Sequence, residues 1–235
     1  GGTVSSSKYL YDIIKDYKKN NEVEIIFHTS ELLASGGYWA SVSGDKIYAN
    51  YGSIIGSIGV KGPEWFFYDE PKSISTGLFG NSIETKDSIK VYSKTAGKSK
   101  GILNPFKKPT DKELDHLQNM VSEIYDDFVR IVSKERKLEN YFVVNKIGAL
   151  IYTAKSAKKM HLIDDELSLD ELIKKIIKDN QFNKYKIIQN NEEERSILKE
   201  IFKVGTRGPN YNSKHSCLSL RSSISAILSY HSVDC

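Results

Sequence analysis

The chain has 235 residues, 39% of them hydrophobic and 27% charged, which is enough to bury the core of one large or two small domains. Its 34 Lys+Arg against 30 Asp+Glu leave a net charge of only +4, and basic residues alternate with acidic ones instead of massing beside aromatics, which argues against nucleic acid as a partner. The two cysteines, Cys217 and Cys235, both sit near the end of the chain, which excludes a disulfide framework or a cysteine-based metal site in the main body. No apolar run reaches the roughly 18 residues of a membrane span, and no charged n-region precedes an apolar h-region. The chain opens on Gly1-Gly2 without an initiator Met, so it reads as a fragment or processed form whose anchor or targeting segment would lie upstream.

"SSSKYLYDIIKDYKK" (5–19) offers hydroxyl caps followed by Tyr9/Leu10, Ile13/Ile14 and Tyr17 at helical spacing, with lysines in the last turn. It predicts an amphipathic helix. "EVEIIFHTS" (22–30) reads as a buried strand, and the small residues of "ELLASGGYWASVSG" (31–44) predict a tight turn into a helix from about Ser35 to Ser43. "DKIYAN" (45–50) is the next strand, and "GSIIGSIGV" (52–60) a glycine-punctuated strand and turn. Alternating strands and helices predict an α/β fold with a largely parallel sheet.

Residues 61–95 mix Pro, Gly and Ser with the aromatic run "WFFYDE" (65–70) and read as loops with short elements, then a strand at 88–93. Thr110 and Glu113 form a capping box ahead of Leu114, Leu117, Val121, Ile124, Phe128 and Val132, which predicts one long helix over 110–136, roughly 40 Å at ~1.5 Å per residue. It is long enough to project from one subunit across another. "ALIYTAKSAKKMHLIDDEL" (149–167) predicts a strand and a short helix, Ser168 and Glu171 open a helix over 168–179, and 184–189 a last strand. The Ser-rich stretch after 203 lacks a clear period. The expected organisation is a domain over 1–190 and an extension over 191–235, flexible after 203.

A serine hydroxyl is a weak nucleophile that needs a base and donors aimed at the developing oxyanion. At the start of a helix Ser35 would face free backbone N–H groups, and Gly36 and Gly37 would let a carbonyl approach. The plain alternative is that Ser35 only caps the helix. None of His28, His116, His161, His215 and His231 has a catalytic setting: His28 ends a core strand, His116 falls within the long helix, His161 at a helix end, and the last two in the tail. Lysine is the other base available to serine if its pKa falls from about 10.4 to roughly 7–8, a shift of ~3 units or ~4 kcal/mol. Composition alone does not choose which lysine.

"ASGGYWAS" (34–41), "DKIYAN" and "IIGSIGV" (54–60) together resemble the signature of the signal peptide peptidase A / protease IV family of serine peptidases. "GGTVSSS" (1–7) resembles that family's opening glycine turn, "AGKSKGILNPF" (96–106) its lysine segment, 110–138 its long helix and 148–166 its Gly-Arg-Val-Tyr to Leu-Val-Asp segment. The resemblance covers about residues 1–178. It implies a ClpP/crotonase-like fold and a Ser/Lys dyad: Ser35 as nucleophile, and Lys100, five residues before Pro105, as general base in preference to Lys94 and Lys98. It also implies that Ser57 holds the lysine amine and that the N–H groups of Gly2 and Gly36 form the oxyanion hole.

The resemblance implies no cofactor and no metal. Its partners would be hydrophobic peptides, including released signal peptides, cut within a homo-oligomeric ring that associates with a membrane through a segment outside this chain; the compartment is unknown. Ile55 stands where the family has Thr, and Ala149 where it has Arg. The aromatics at 65–70 read as core or subunit interface, with a substrate groove or membrane-facing lip as the sharper alternative. The competing functional readings are a catalytically inactive homologue serving as an assembly or membrane-scaffold subunit, and an acyl-CoA hydratase or hydrolase on the crotonase fold, which lacks a CoA-phosphate site here.

Overall fold

The computed structural model describes residues 1–69 and 94–188, together with the backbone of three short strands at 75–77, 80–82 and 228–230. Helix α1 (Val4–Asn20) starts at Thr3, whose hydroxyl accepts from the Ser6 amide at 3.2 Å, and ends on Lys18 and Lys19, which complement the helix dipole. It buries Ser7, Tyr11 and Ile14. Strand β1 (Glu24–Thr29) is buried from Ile25 onward. The apolar lead-in at 31–34 forms a strand of its own, β2 (Leu32–Ala34), before Ser35 and helix α2 (Gly36–Ser41).

Strands β3 (Lys46–Ala49) and β4 (Ile54–Gly56) follow, then a hairpin of β5 (Ser75–Gly77) and β6 (Gly80–Ser82). Helix α3 (Asp111–Arg136) leads through α4 (Asn140–Phe142) into a π-helical turn at Val143–Ile147 and strand β7 (Ile151–Thr153). Helix α5 (Ala154–Lys159), strand β8 (Asp165–Glu166), helix α6 (Leu169–Asp179) and strand β9 (Leu228–Tyr230) complete the order.

The larger sheet has the order β8-β3-β1-β9, parallel across β8, β3 and β1 and antiparallel at β9. The second has the order β2-β4-β7, with β2 and β4 parallel and β7 antiparallel. This is an α/β architecture with parallel strands flanked by helices, as the alternation of elements predicts. Residues 184–188 form no strand, contrary to expectation: they pair with no strand of either sheet, and Tyr185, Ile187 and Ile188 are exposed. The expected strand at 88–93, and the tail after 203 apart from β9, lie outside the described residues.

The main core is built around the two aromatics that follow Ser35. Trp39 stacks on Phe128 of α3 at 4.4 Å and 11° between ring planes, and the fully buried Tyr38 donates its hydroxyl to the Leu162 carbonyl at 2.7 Å. Burial pushes the Tyr38 phenol well above its usual range, so it stays a neutral donor. A second link joins α1 to α3: the Tyr11 hydroxyl donates to Glu135 Oε1 at 2.6 Å, and Lys15 pairs with Glu135 Oε2 at 3.0 Å.

The apolar stripe of α3 divides in two. Phe128, Val129, Ile131 and Val132 are buried, whereas Leu114 and Met120 are exposed. The N-terminal half therefore projects beyond the core, anchored at its start by the predicted capping box of Thr110 and Glu113, with Lys107 ion-paired to the same carboxylate. The hydrogen bond from the Lys107 ammonium, and then the Thr110 amide and hydroxyl, hold the Glu113 carboxyl at about 2 against an ordinary 4.5. A lowered folded-state pKa stabilises the fold fully above about pH 4.5, and that contribution vanishes as pH falls toward 2. Glu113→Gln is therefore expected to lower Tm at pH 7, with the gap to the parent protein closing in a thermal-unfolding series down to pH 2. A gap that stays constant over that range contradicts this assignment.

Candidate active site

Strands β2 and β4 place two serines side by side. Their parallel register pairs Leu32 with Ile54, Leu33 with Ile55 and Ala34 with Gly56, so both strands stop at the same level and Ser35 and Ser57 come next. The Ser35 amide extends the ladder by donating to the Gly56 carbonyl at 2.9 Å, while the Ser57 amide donates to the Leu150 carbonyl at 2.7 Å. Both serines have positive φ, 55° and 52°. For a residue with a side chain this conformation costs of order 1–3 kcal/mol and persists only where neighbours enforce it.

Ser35 stands at the N-cap of α2, yet its side chain makes no capping hydrogen bond. Ser35 lines a cleft of about 450 Å³ shared with Ser57, Val60, Val121, Tyr125 and Ala149. The chain thus runs from a strand through a strained serine into a helix, the kind of sharp turn that presents a nucleophilic Oγ clear of its own backbone.

The glycine turn at the N-terminus abuts this serine. A Cβ on Gly36 would stand 2.2 Å from Ser7 Oγ, 3.0 Å from the Gly2 nitrogen and 3.1 Å from the Gly2 oxygen, so only glycine fits where the two backbones meet. Ser7 is itself fixed by donating its hydroxyl to the Thr3 carbonyl at 2.8 Å. Ser35, Ser57, Gly2 and Gly36 are in this way brought together. The first-turn amides of a helix lack intrahelical acceptors, so the Gly36 N–H has no partner within α2. Chemically, a hydroxyl beside such donors suits acyl transfer.

Lys100 is placed differently. It is exposed, on a turn where its amide donates to the Gly97 carbonyl at 3.3 Å, and it is not among the residues lining the cleft. The lysine at the cleft is Lys61, which is ion-paired with Glu64 and largely exposed. His28 is buried with Nε2 3.0 Å from the Leu167 carbonyl, the satisfied structural histidine expected of a core strand. Among the described residues no group of three or more His, Cys, Asp or Glu could hold a metal, and no helix is long and apolar enough to cross a membrane.

Sequence reasoning missed the cleft wall supplied by α3. Val121 and Tyr125 are one turn apart and face the cleft, but the same spacing continues into Phe128 and Val132, which are core. Periodicity therefore finds the face of the helix but not what lies against it.

A strained strand-to-helix turn over a cleft, with backbone donors close by, is an arrangement suited to acyl transfer. The chain belongs to peptidase family S49, whose model matches residues 17–183. Among curated relatives it is similar to a putative protease of Methanocaldococcus jannaschii, at 32% identity over 75% of this chain and 52% of that one. It is also similar to a putative signal peptide peptidase of Enterococcus faecium, at 30% identity over 69% of this chain and 45% of the relative. A third similarity, at 28% identity, covers 80% of this chain but 24% of a Brucella abortus protein named a Na(+)/H(+) antiporter. The chain thus spans about half, or less, of the curated relatives it matches.

The contact between Gly36 and the first turn of α1 has a measurable cost if filled. Gly36→Ala is expected to destabilise the protein by about 1–3 kcal/mol, the usual range for overpacking, and Ser7→Ala in the same chain should recover part of that loss because Ser7 Oγ is the nearest obstacle. Chemical denaturation of the single and double variants measures this. Strict additivity of the two changes contradicts the contact.

Proposed function

We propose that the chain is the catalytic unit of a serine endopeptidase that cleaves hydrophobic peptides, such as released signal peptides, with Ser35 as nucleophile and Lys100 as general base. The observation that carries the reading is the uncapped, positive-φ Ser35 opening on the cleft it shares with Ser57. The neutral lysine amine takes the proton from Ser35 Oγ as that oxygen bonds to the peptide carbonyl carbon, and the resulting oxyanion is held by the Gly2 and Gly36 N–H groups. Collapse breaks the C–N bond, and the leaving amine takes the proton from the lysine. Water, deprotonated by the same amine, then hydrolyses the acyl-enzyme. Ser57 orients the amine through a neutral hydroxyl, which adds no like charge.

The exposure of Lys100 outside the cleft fits this chemistry if the working form is a ring of copies whose grooves are shared between neighbours. Assembly then brings a Lys100 amine to a Ser35 hydroxyl. Membrane association through a segment outside this chain belongs to the same proposal. The same exposure favours a second reading, a catalytically inactive homologue acting as an assembly or membrane-scaffold subunit, in which the serine has no base.

A fluorophosphonate probe separates the two. The catalytic reading expects covalent labelling that Ser35→Ala abolishes, together with peptide cleavage that Ser35→Ala eliminates and Lys100→Ala lowers by at least the ~10²–10⁴-fold of general-base catalysis. A folded, assembled protein that the probe does not label supports the scaffold reading, and wild-type turnover in Lys100→Ala removes Lys100 from the dyad.

A further inference from the structure

The cleft and the lysine turn are joined by a strap. Residues 57–68 leave β4 without entering a helix or strand. Val60 lines the cleft, and Gly62 passes so close to α3 that a Cβ there would stand 2.7 Å from Val121 Cγ2. Beyond that crossing, the Trp65 indole N–H donates to the Asn104 carbonyl at 3.0 Å and the Tyr68 amide donates to the Pro105 carbonyl at 2.8 Å. The Tyr68 ring also packs on Phe106 at 5.9 Å and 47°.

What the strap grips is a chain of tight turns. The amides of Lys100, Ile102, Asn104 and Lys107 donate to the carbonyls three residues back, at Gly97, Ser99, Gly101 and Asn104. Lys107 fastens the far end to Glu113 at the start of α3. Consecutive turns of this kind transmit position, so fixing Asn104 and Pro105 restricts where Lys100 can stand. Trp65 and Tyr68 are outside the hydrophobic core and only half-buried. Their donors are spent on the carbonyls of one half-buried loop outside the core, an arrangement that adds little to the core and much to the placement of that loop.

We propose that Trp65 and Tyr68 are positioning residues that hold the 97–107 turns, and with them Lys100, in a fixed place relative to the cleft. The proposal rests on the reading of Lys100 as general base. It assigns to the aromatic run a task distinct from core, subunit interface or membrane lip.

Trp65→Phe deletes the N–H donor and keeps an aromatic, though smaller, side chain. In the full chain, amide hydrogen exchange over 97–107 is expected to quicken, and kcat on a peptide substrate to fall roughly five- to tenfold, the effect of losing about one hydrogen bond. KM should be unchanged, and the acid limb of the kcat/KM profile should move to higher pH. Phe106→Leu, which removes the ring partner of Tyr68, should act in the same direction. Phe66→Ala, at a neighbouring exposed ring, should alter none of these. Faster exchange in Trp65→Phe with kcat and the acid limb unchanged, while Lys100→Ala is inactive, overturns the positioning role and leaves the dyad standing. Wild-type activity in Lys100→Ala overturns both, and unchanged exchange overturns the tether itself.

Discussion

The hydrogen bond from the Ser35 amide to the Gly56 carbonyl is the constraint on which the candidate site depends. It carries the β2–β4 ladder one residue past the end of both strands, so two serines distant in sequence arrive as neighbours with their backbones already fixed. Without it, Ser35 would be a residue in a loop, free to rotate its hydroxyl back onto the amides of α2. With it, φ is held at 55° and Ser35 is kept at the wall of the cleft.

That strain needs an opposing force, and burial supplies it. Immediately downstream, Tyr38 and Trp39 sink into the core against Leu162 and Phe128. Burying two large aromatics contributes several kcal/mol at ~25 cal/mol per Å², more than the 1–3 kcal/mol typical of one residue in a disfavoured backbone region. Upstream, Ala34 is held in the sheet by its pairing with Gly56. The serine is therefore clamped from both sides, and the Gly1–Gly2 turn closes the third. The passage Ser35-Gly36-Gly37-Tyr38-Trp39 is one mechanical unit: a strained hydroxyl, room for backbone contact, and the anchors that keep both in place.

What was legible in the sequence is what local chemistry determines. The capping boxes at Thr110/Glu113 and Ser168/Glu171 are present at their predicted starts, and the alternation of elements gave the α/β class. Ser35 was visible as a hydroxyl against two glycines at a strand-to-helix turn. Strand β2 was hidden because three residues carry no period, and its existence depends on β4, a partner twenty-two positions away. The strand expected at 184–189 shows the converse: over 184–188, β propensity without a strand to pair with makes no strand. The division of α3 into a buried and a projecting half was illegible for the same reason, since the stripe is continuous and only tertiary contact says which part is covered. The link from Trp65 to the Lys100 turn runs through backbone carbonyls, which leave no mark on residue type at all.

The energetics of Ser35 bear on what the site is for. A serine at an N-cap ordinarily accepts from an amide in the first helical turn, and that interaction stabilises a helix by about 0.5–2 kcal/mol. Here it is forgone, and a conformation costing a further 1–3 kcal/mol is accepted instead. A position serving only as a cap or as scaffold would gain on both counts by relaxing to extended backbone and bonding its own helix. Keeping the hydroxyl unengaged at a combined cost of roughly 1.5–5 kcal/mol is what an oxygen kept available to something entering the cleft would require. The argument concerns Ser35 alone and is independent of where the lysine stands, which is why it supports a nucleophile even though Lys100 is exposed outside the cleft in a single copy of the chain.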